Sequence, residues 1–194
     1  MSSFNWKLQD NMNGQSFSNH LSNLRYNVCV RRESGYCSIE WGVGTSFEVS
    51  RQSLISSQSR TDTILSQNST GYFSLSGALP TSTTTPVIVD SNDVNIGDAE
   101  CREDFLMIPG GWGGTDPNNA GFTRDRYCGQ AFGYCTKLDC TTREIGTVRS
   151  YQTPFTLGVV TDNDENQSAT STSTSGADTQ NRGFRLFYRQ NPCS

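Results

Sequence analysis

Seven cysteines, Cys29, Cys37, Cys101, Cys128, Cys135, Cys140 and Cys193, constrain this chain more than any other feature. They run from near its start to its last residues, so any disulfides among them tie the whole length together. In so polar a chain they point to an oxidising compartment. Zinc is the poorer reading, because no pair has C-x-x-C spacing and His20 is the only histidine. The number is odd, so at least one cysteine lacks a partner within the chain. Met1 leads directly into the polar SSFNWKLQD, with no apolar leader. The expectation is that the natural beginning has been trimmed, or that the seventh cysteine binds another chain.

Between the cysteines no 3.6-residue periodicity lasts beyond two turns. Short alternating runs appear instead, separated by Gly, Asn, Ser and Pro clusters. LRYNVCV (24–30) and CSIEW (37–41) read as strands joined by RRESGY, a hairpin. TSFEV (45–49) and YFSL (72–75) alternate well. DFLMI (104–108) is a near-continuous apolar run that ends at Pro109-Gly110-Gly111, which predicts a central strand followed by a turn. FTLGVV (155–160) and FRLFY (184–188) have the same character. The prediction is an all-β antiparallel sandwich or barrel, in one domain over 1–194.

The surface is built from small polar residues, with 25 Ser, 21 Thr and 15 Asn against two Lys. Hydrophobic residues make up 33% and mean hydropathy is −0.56, yet aromatics reach 10% and charged residues only 18%, which argues against disorder. A net charge of −4 does not suit coating nucleic acid, and no apolar run reaches the length of a membrane helix. Residues 50–70 and 80–99 are rich in Ser, Thr and Asn, and 163–180 reads as an exposed loop. Asn68 and Asn166 head acceptor sequons in these stretches, the expected glycosylation sites.

Few residues can carry chemistry. Nucleophilic hydrolysis would need His20, which sits in GQSFSNHLSN with no nucleophile motif nearby and reads as an exposed histidine beside a strand. PGGWGGTDPNN lacks the Lys-Ser/Thr of a phosphate loop and reads as a wide hairpin loop. Trp112 at its tip is the candidate partner-binding anchor, the alternative being that it packs back on the sheet. Asp104 begins one strong strand, while Asp162 and Asp164 follow another. If the two strands end at the same edge, their oxygens could converge on calcium, which takes six to eight oxygen ligands. Solvated loop-end charges are the alternative.

CREDFLMIPGG, RDRYCG, TPFTLGVVTDN and the final NRGFRLFYRQNPC, in that order, resemble the second half of a CUB domain. They look most like the divergent CUB-like domains of secreted arthropod proteins. VCVRRESGYCSIEW resembles the cysteine-strand-turn-strand unit that follows the first CUB disulfide. The resemblance covers about 4–49 and 101–193, which leaves an insertion at about 50–100. It implies a jelly-roll sandwich with a Cys101–Cys128 disulfide, and a first cysteine that would lie upstream of Met1. Arg185 stands where the arthropod relatives carry a cysteine. For calcium, Asp104 and Asp162 match two family positions, while the family's glutamate falls at Ile96, with Asp98 and Glu100 nearby.

Of the remaining cysteines, Cys29–Cys37 fits a cross-hairpin pair and Cys135–Cys140 closes a short loop. Cys193 is then left unpaired, or links chains into a homo-oligomer. The alternative is that Cys29 pairs upstream, which frees Cys37 for Cys193. The resemblance implies a secreted, non-catalytic module that binds protein or glycan partners through its loops, with no cofactor unless calcium. One rival is a structural matrix, cuticle or adhesive component. Another is the accessory domain of a secreted protease.

Overall fold

Phe105–Gly111, strand β5, shows how local sequence builds the architecture. Leu106 and Ile108 point to one side of the pleat, Phe105 and Met107 to the other, and all four are buried or half-buried. A strand covered on both faces belongs in the middle of a sheet. Accordingly β5 lies between β10 (Phe155–Val160) and β6 (Arg124–Gly129). β1 (Arg25–Val30) closes the sheet beyond β10 and β4 (Val94–Ile96) beyond β6, and every pairing is antiparallel. The computed structural model describes Met1 and residues 20–43, 73–75, 94–112, 123–129, 132–135, 143–163 and 183–193.

A three-stranded sheet faces the first. Its central strand is β2 (Tyr36–Val43), between β12 (Leu186–Pro192) and β9 (Thr147–Ser150). Two short pairs complete the described strands: β3 (Phe73–Ser74) with β11 (Gly183–Phe184), and β7 (Gly133–Cys135) with β8 (Arg143–Ile145). Ile39, Trp41, Val43, Val148 and Leu186 from the second sheet form one buried cluster with Leu106, Ile108, Tyr127, Leu157 and Val159 from the first. That shared core makes the pair of sheets a β-sandwich. Each fully buried aliphatic or aromatic side chain in it contributes roughly 1.5–3 kcal/mol. Among the described residues there is no helix.

Local expectations are corrected at two places. LRYNVCV and CSIEW do not form a hairpin: β1 pairs with β10, while β2 lies in the other sheet. The connection turns at Gly35 (φ 83°) and crosses between sheets, held to β12 by Gln190, which accepts from the Glu33 amide and donates to the Arg31 carbonyl. Nor does β5 end at Pro109. Gly110 takes φ 58°, the register to β6 shifts between Met107 and Gly111, and the strand runs on. A bulge of this kind bends a strand without ending it.

The disulfides follow from this topology. Cys101 is joined to Cys128, with Cα atoms 5.6 Å apart. The pair centres a small cluster on the outer side of the first sheet, with Phe105, Met107 and Val160 packed around it. Cys37 is joined to Cys193, at a Cα separation of 4.9 Å. The expected Cys29–Cys37 pair and the unpaired Cys193 are therefore corrected, and the Cys37–Cys193 pair of the alternative is the one formed. Cys29 and Cys37 lie on strands of different sheets, whereas Pro192 sits opposite Tyr36 and brings Cys193 to the start of β2. Cys29 is exposed and free. Cys140, and with it the expected Cys135–Cys140 pair, falls outside the described residues, as do Asn68, Asp164 and Asn166.

Candidate functional site

Strand register brings Asp104 and Asp162 together. Phe105 pairs with Val160, so the residue before β5 and the residues after β10 are neighbours at one end of the sandwich. Asp104 is fully buried. Its Oδ1 accepts the Asp162 backbone N–H at 2.9 Å, and its Oδ2 lies 3.5 Å from His20 Nε2. The expected exposed histidine is thus corrected: His20 is 4% exposed, held in by this carboxylate. The segment after it is strapped to the same corner. Thr161 Oγ1 accepts the Leu24 amide and donates to the Leu21 carbonyl, both at 2.9 Å. The Thr161 amide donates to the Leu24 carbonyl, and the Asn23 amide to that of Asp162.

Trp112 is not at a loop tip. Because β5 continues through Gly111, Trp112 exchanges two backbone hydrogen bonds with Arg149 of β9, and its side chain is buried. Its ring packs on Tyr151, centroids 6.1 Å apart. The binding anchor expected at this position is corrected to a packed residue on the outer side of the three-stranded sheet.

At the far end of β5 an open cleft of about 720 Å³ lies between Gly97–Glu100 and Thr123–Asp125. Its carboxylates hold structure: Asp98 pairs with Arg126 at 2.9 Å, Glu100 accepts the Ile96 amide, and Asp125 accepts the Gly110 amide. Glu40, which the sequence reading passed over, is 7% exposed and bonds Arg149 and Arg189, each at 2.8 Å. Desolvation works against the charge on Arg149, but hydrogen bonds to Glu40 and Tyr151 outweigh it and raise its pKa. Alternation in SIEW puts Glu40 opposite in direction to Ile39 and Trp41; nothing local signals its partners.

The animal CUB domain family matches residues 1–191. This chain belongs to that family. No curated protein and no solved structure matches it. CUB domains are generally non-catalytic binding modules and are typically extracellular.

Some CUB domains bind calcium, and the corner at Asp104 is where this chain would have to do so. Among the described residues its donors do not gather into a set of three or more, and Asp164 lies outside them. One oxygen of Asp104 serves the Asp162 amide, the other faces an imidazole, and Asp98 and Glu100 are engaged elsewhere. Among the described residues no group of three or more His, Cys, Asp or Glu could hold a metal ion. A hard cation needs several converging oxygens, and here a histidine stands against the central carboxylate instead.

Proposed function

We propose that this CUB chain is a secreted, non-catalytic recognition module that binds an extracellular protein or glycan. The observation that carries the reading is the match to the animal CUB domain family over residues 1–191, whose members are generally non-catalytic binding modules. Two disulfides support an oxidising compartment. In this reading residues 1–194 form one unit, the stretch at about 50–100 is an insertion, and Asn68 and Asn166 carry glycans. The exposed Cys29 favours a second reading, a component linked to other chains, with Cys29 in the role first expected of Cys193.

The test presents the purified chain to panels of extracellular proteins and glycans by surface plasmon resonance. Generic peptidase and esterase substrates are run beside it. Saturable binding without turnover supports recognition; turnover that disappears in His20→Gln, with no binder found, overturns it. A reducible dimer lost in Cys29→Ser would favour the linked component.

A further inference from the structure

The edge of a sheet is a template for another strand unless something blunts it. Among the described residues, β1 is the edge of the sandwich that nothing blunts. At the other edges, β9 exchanges two backbone hydrogen bonds with Trp112, and β12 exchanges two with Met1 and ends in Pro192. β4 is three residues long, and Glu100 takes its Ile96 amide. By contrast β1 has six residues, no proline and no bulge, and pairs with β10 along its whole length. The bond from the Thr161 amide to the Leu24 carbonyl sets the phase of that ladder. Hydrogen-bonded pairs alternate along antiparallel strands, so Tyr26, Val28 and Val30 bond β10 as Leu24 does. The N–H and C=O groups of Arg25, Asn27 and Cys29 therefore point away from the sheet. All three residues are exposed, and no described group takes those backbone atoms.

The strand is complementary to itself. Antiparallel pairing of two copies about a two-fold axis at Asn27 sets Arg25 opposite Cys29, Tyr26 opposite Val28 and Leu24 opposite Val30. Outward backbone then meets outward backbone, because Arg25, Asn27 and Cys29 pair only among themselves. The side chains sort in the same way. Val28 and Val30 are half-buried against the core, and Tyr26, on their side of the pleat, is 39% exposed. Aromatic and β-branched residues are favoured cross-strand partners, so each copy covers what the other leaves half-open. On the opposite side polar residues meet polar ones, and Arg31, just past the strand, falls opposite Asn23. Centring the pair on Val28 instead would set Arg25 against Arg31, and centring it on Tyr26 would shorten the paired run.

We propose that β1 is an interface between two copies of this chain, which joins their five-stranded sheets edge to edge about Asn27. A closed two-fold contact of this kind uses the same patch on both subunits. One strand pair makes a small interface, under about 1,200 Å², so the dimer is weak and grows with concentration. The two Cys29 residues lie four positions apart along the paired strands, roughly 13 Å, beyond disulfide reach. The dimer is thus non-covalent, distinct from a component linked through Cys29, and independent of what the module recognises.

Sedimentation velocity of the full chain in reductant, from about 5 to about 500 µM, measures the association. Dimer should accumulate across that range, and Cys29→Ser should leave it unchanged. Asn27→Pro removes an outward N–H that β10 does not use, so the fold should stand while dimerisation weakens at least roughly tenfold. Melting curves check that fold. Arg25→Cys, mildly oxidised, should be trapped as a dimer through Cys29 of the second copy, which holds even if the proline variant does not fold. Amide exchange at Arg25, Asn27 and Cys29 should slow as concentration rises, while Tyr26 and Val28 stay unchanged. A chain that remains monomeric throughout, a dimer indifferent to Asn27→Pro, or one that vanishes in reductant overturns the proposal. So does slowing of those three amides only when a partner from the protein and glycan panels is added, which would assign the edge to that partner.

Discussion

Replacing Asp104 with alanine tests whether the corner at the end of β5 is a structural lock. Asp104 is fully buried, with Oδ1 2.9 Å from the Asp162 amide and Oδ2 3.5 Å from the His20 ring. The substitution removes that acceptor from a part-buried amide, at about 1–3 kcal/mol. It also takes the anion away from the imidazole and leaves a small void, for a total of about 2–4 kcal/mol. Asp104→Asn keeps the acceptor and the volume, so it should cost about half as much. For a chain of this size each kcal/mol moves Tm by about 2–4 °C. Alanine should therefore lower Tm by roughly 5–15 °C, and asparagine by distinctly less. Calorimetry at neutral pH measures both, and amide exchange at Asn23 and Thr161 reports loosening of the 20–24 strap. An alanine variant that melts within about 2 °C of the parent, with unchanged exchange, would refute the lock.

Two further outcomes follow from the same geometry. Trp112→Ala should destabilise the chain by about 2–4 kcal/mol, since the ring is buried against Tyr151; a melt that does not move would return Trp112 to the role of an exposed anchor. Excess calcium, compared with chelator, should leave the melt unchanged, because a ligand stabilises only by binding the folded state; a clear rise would show that Asp104 is released from His20 to hold the ion.

The strands that pack on both faces were the legible part of the sequence. FLMI is apolar on four consecutive residues and FTLGVV on all but Thr156 and Gly158, as strands buried on both faces are, and the two became neighbours inside the five-stranded sheet. Pairing partners were not legible, because periodicity names a face and never a neighbour. Two alternating runs around Gly35 carry the same local signal for a hairpin as for a crossing between sheets. At Pro109–Gly111 the turn residues were real signals, but a positive φ at Gly110 served a bulge. Glu40 lies 109 residues from Arg149 and 149 from Arg189, so no local pattern could have joined them. His20 sits in a polar run that names no partner, and only the fold sets it against Asp104. The family resemblance recovered Cys101–Cys128, whereas Cys37–Cys193 stood in the sequence only as the alternative pairing until the register of β2 with β12 selected it.

β1 and β2 lie in opposite layers of the sandwich, with β12 stapled to β2 by the Cys37–Cys193 bond. Peptide mapping of the unreduced, natively alkylated chain tests that placement directly. Closing the 156-residue span from Cys37 to Cys193 restricts the unfolded chain by about 5 kcal/mol in the loop-entropy estimate, so this bond should also be the one whose loss costs most. The predicted map links Cys37 to Cys193 and Cys101 to Cys128, and finds Cys29 carrying the alkyl label. A peptide joining Cys29 to Cys37 would put β1 and β2 in one hairpin and contradict the fold.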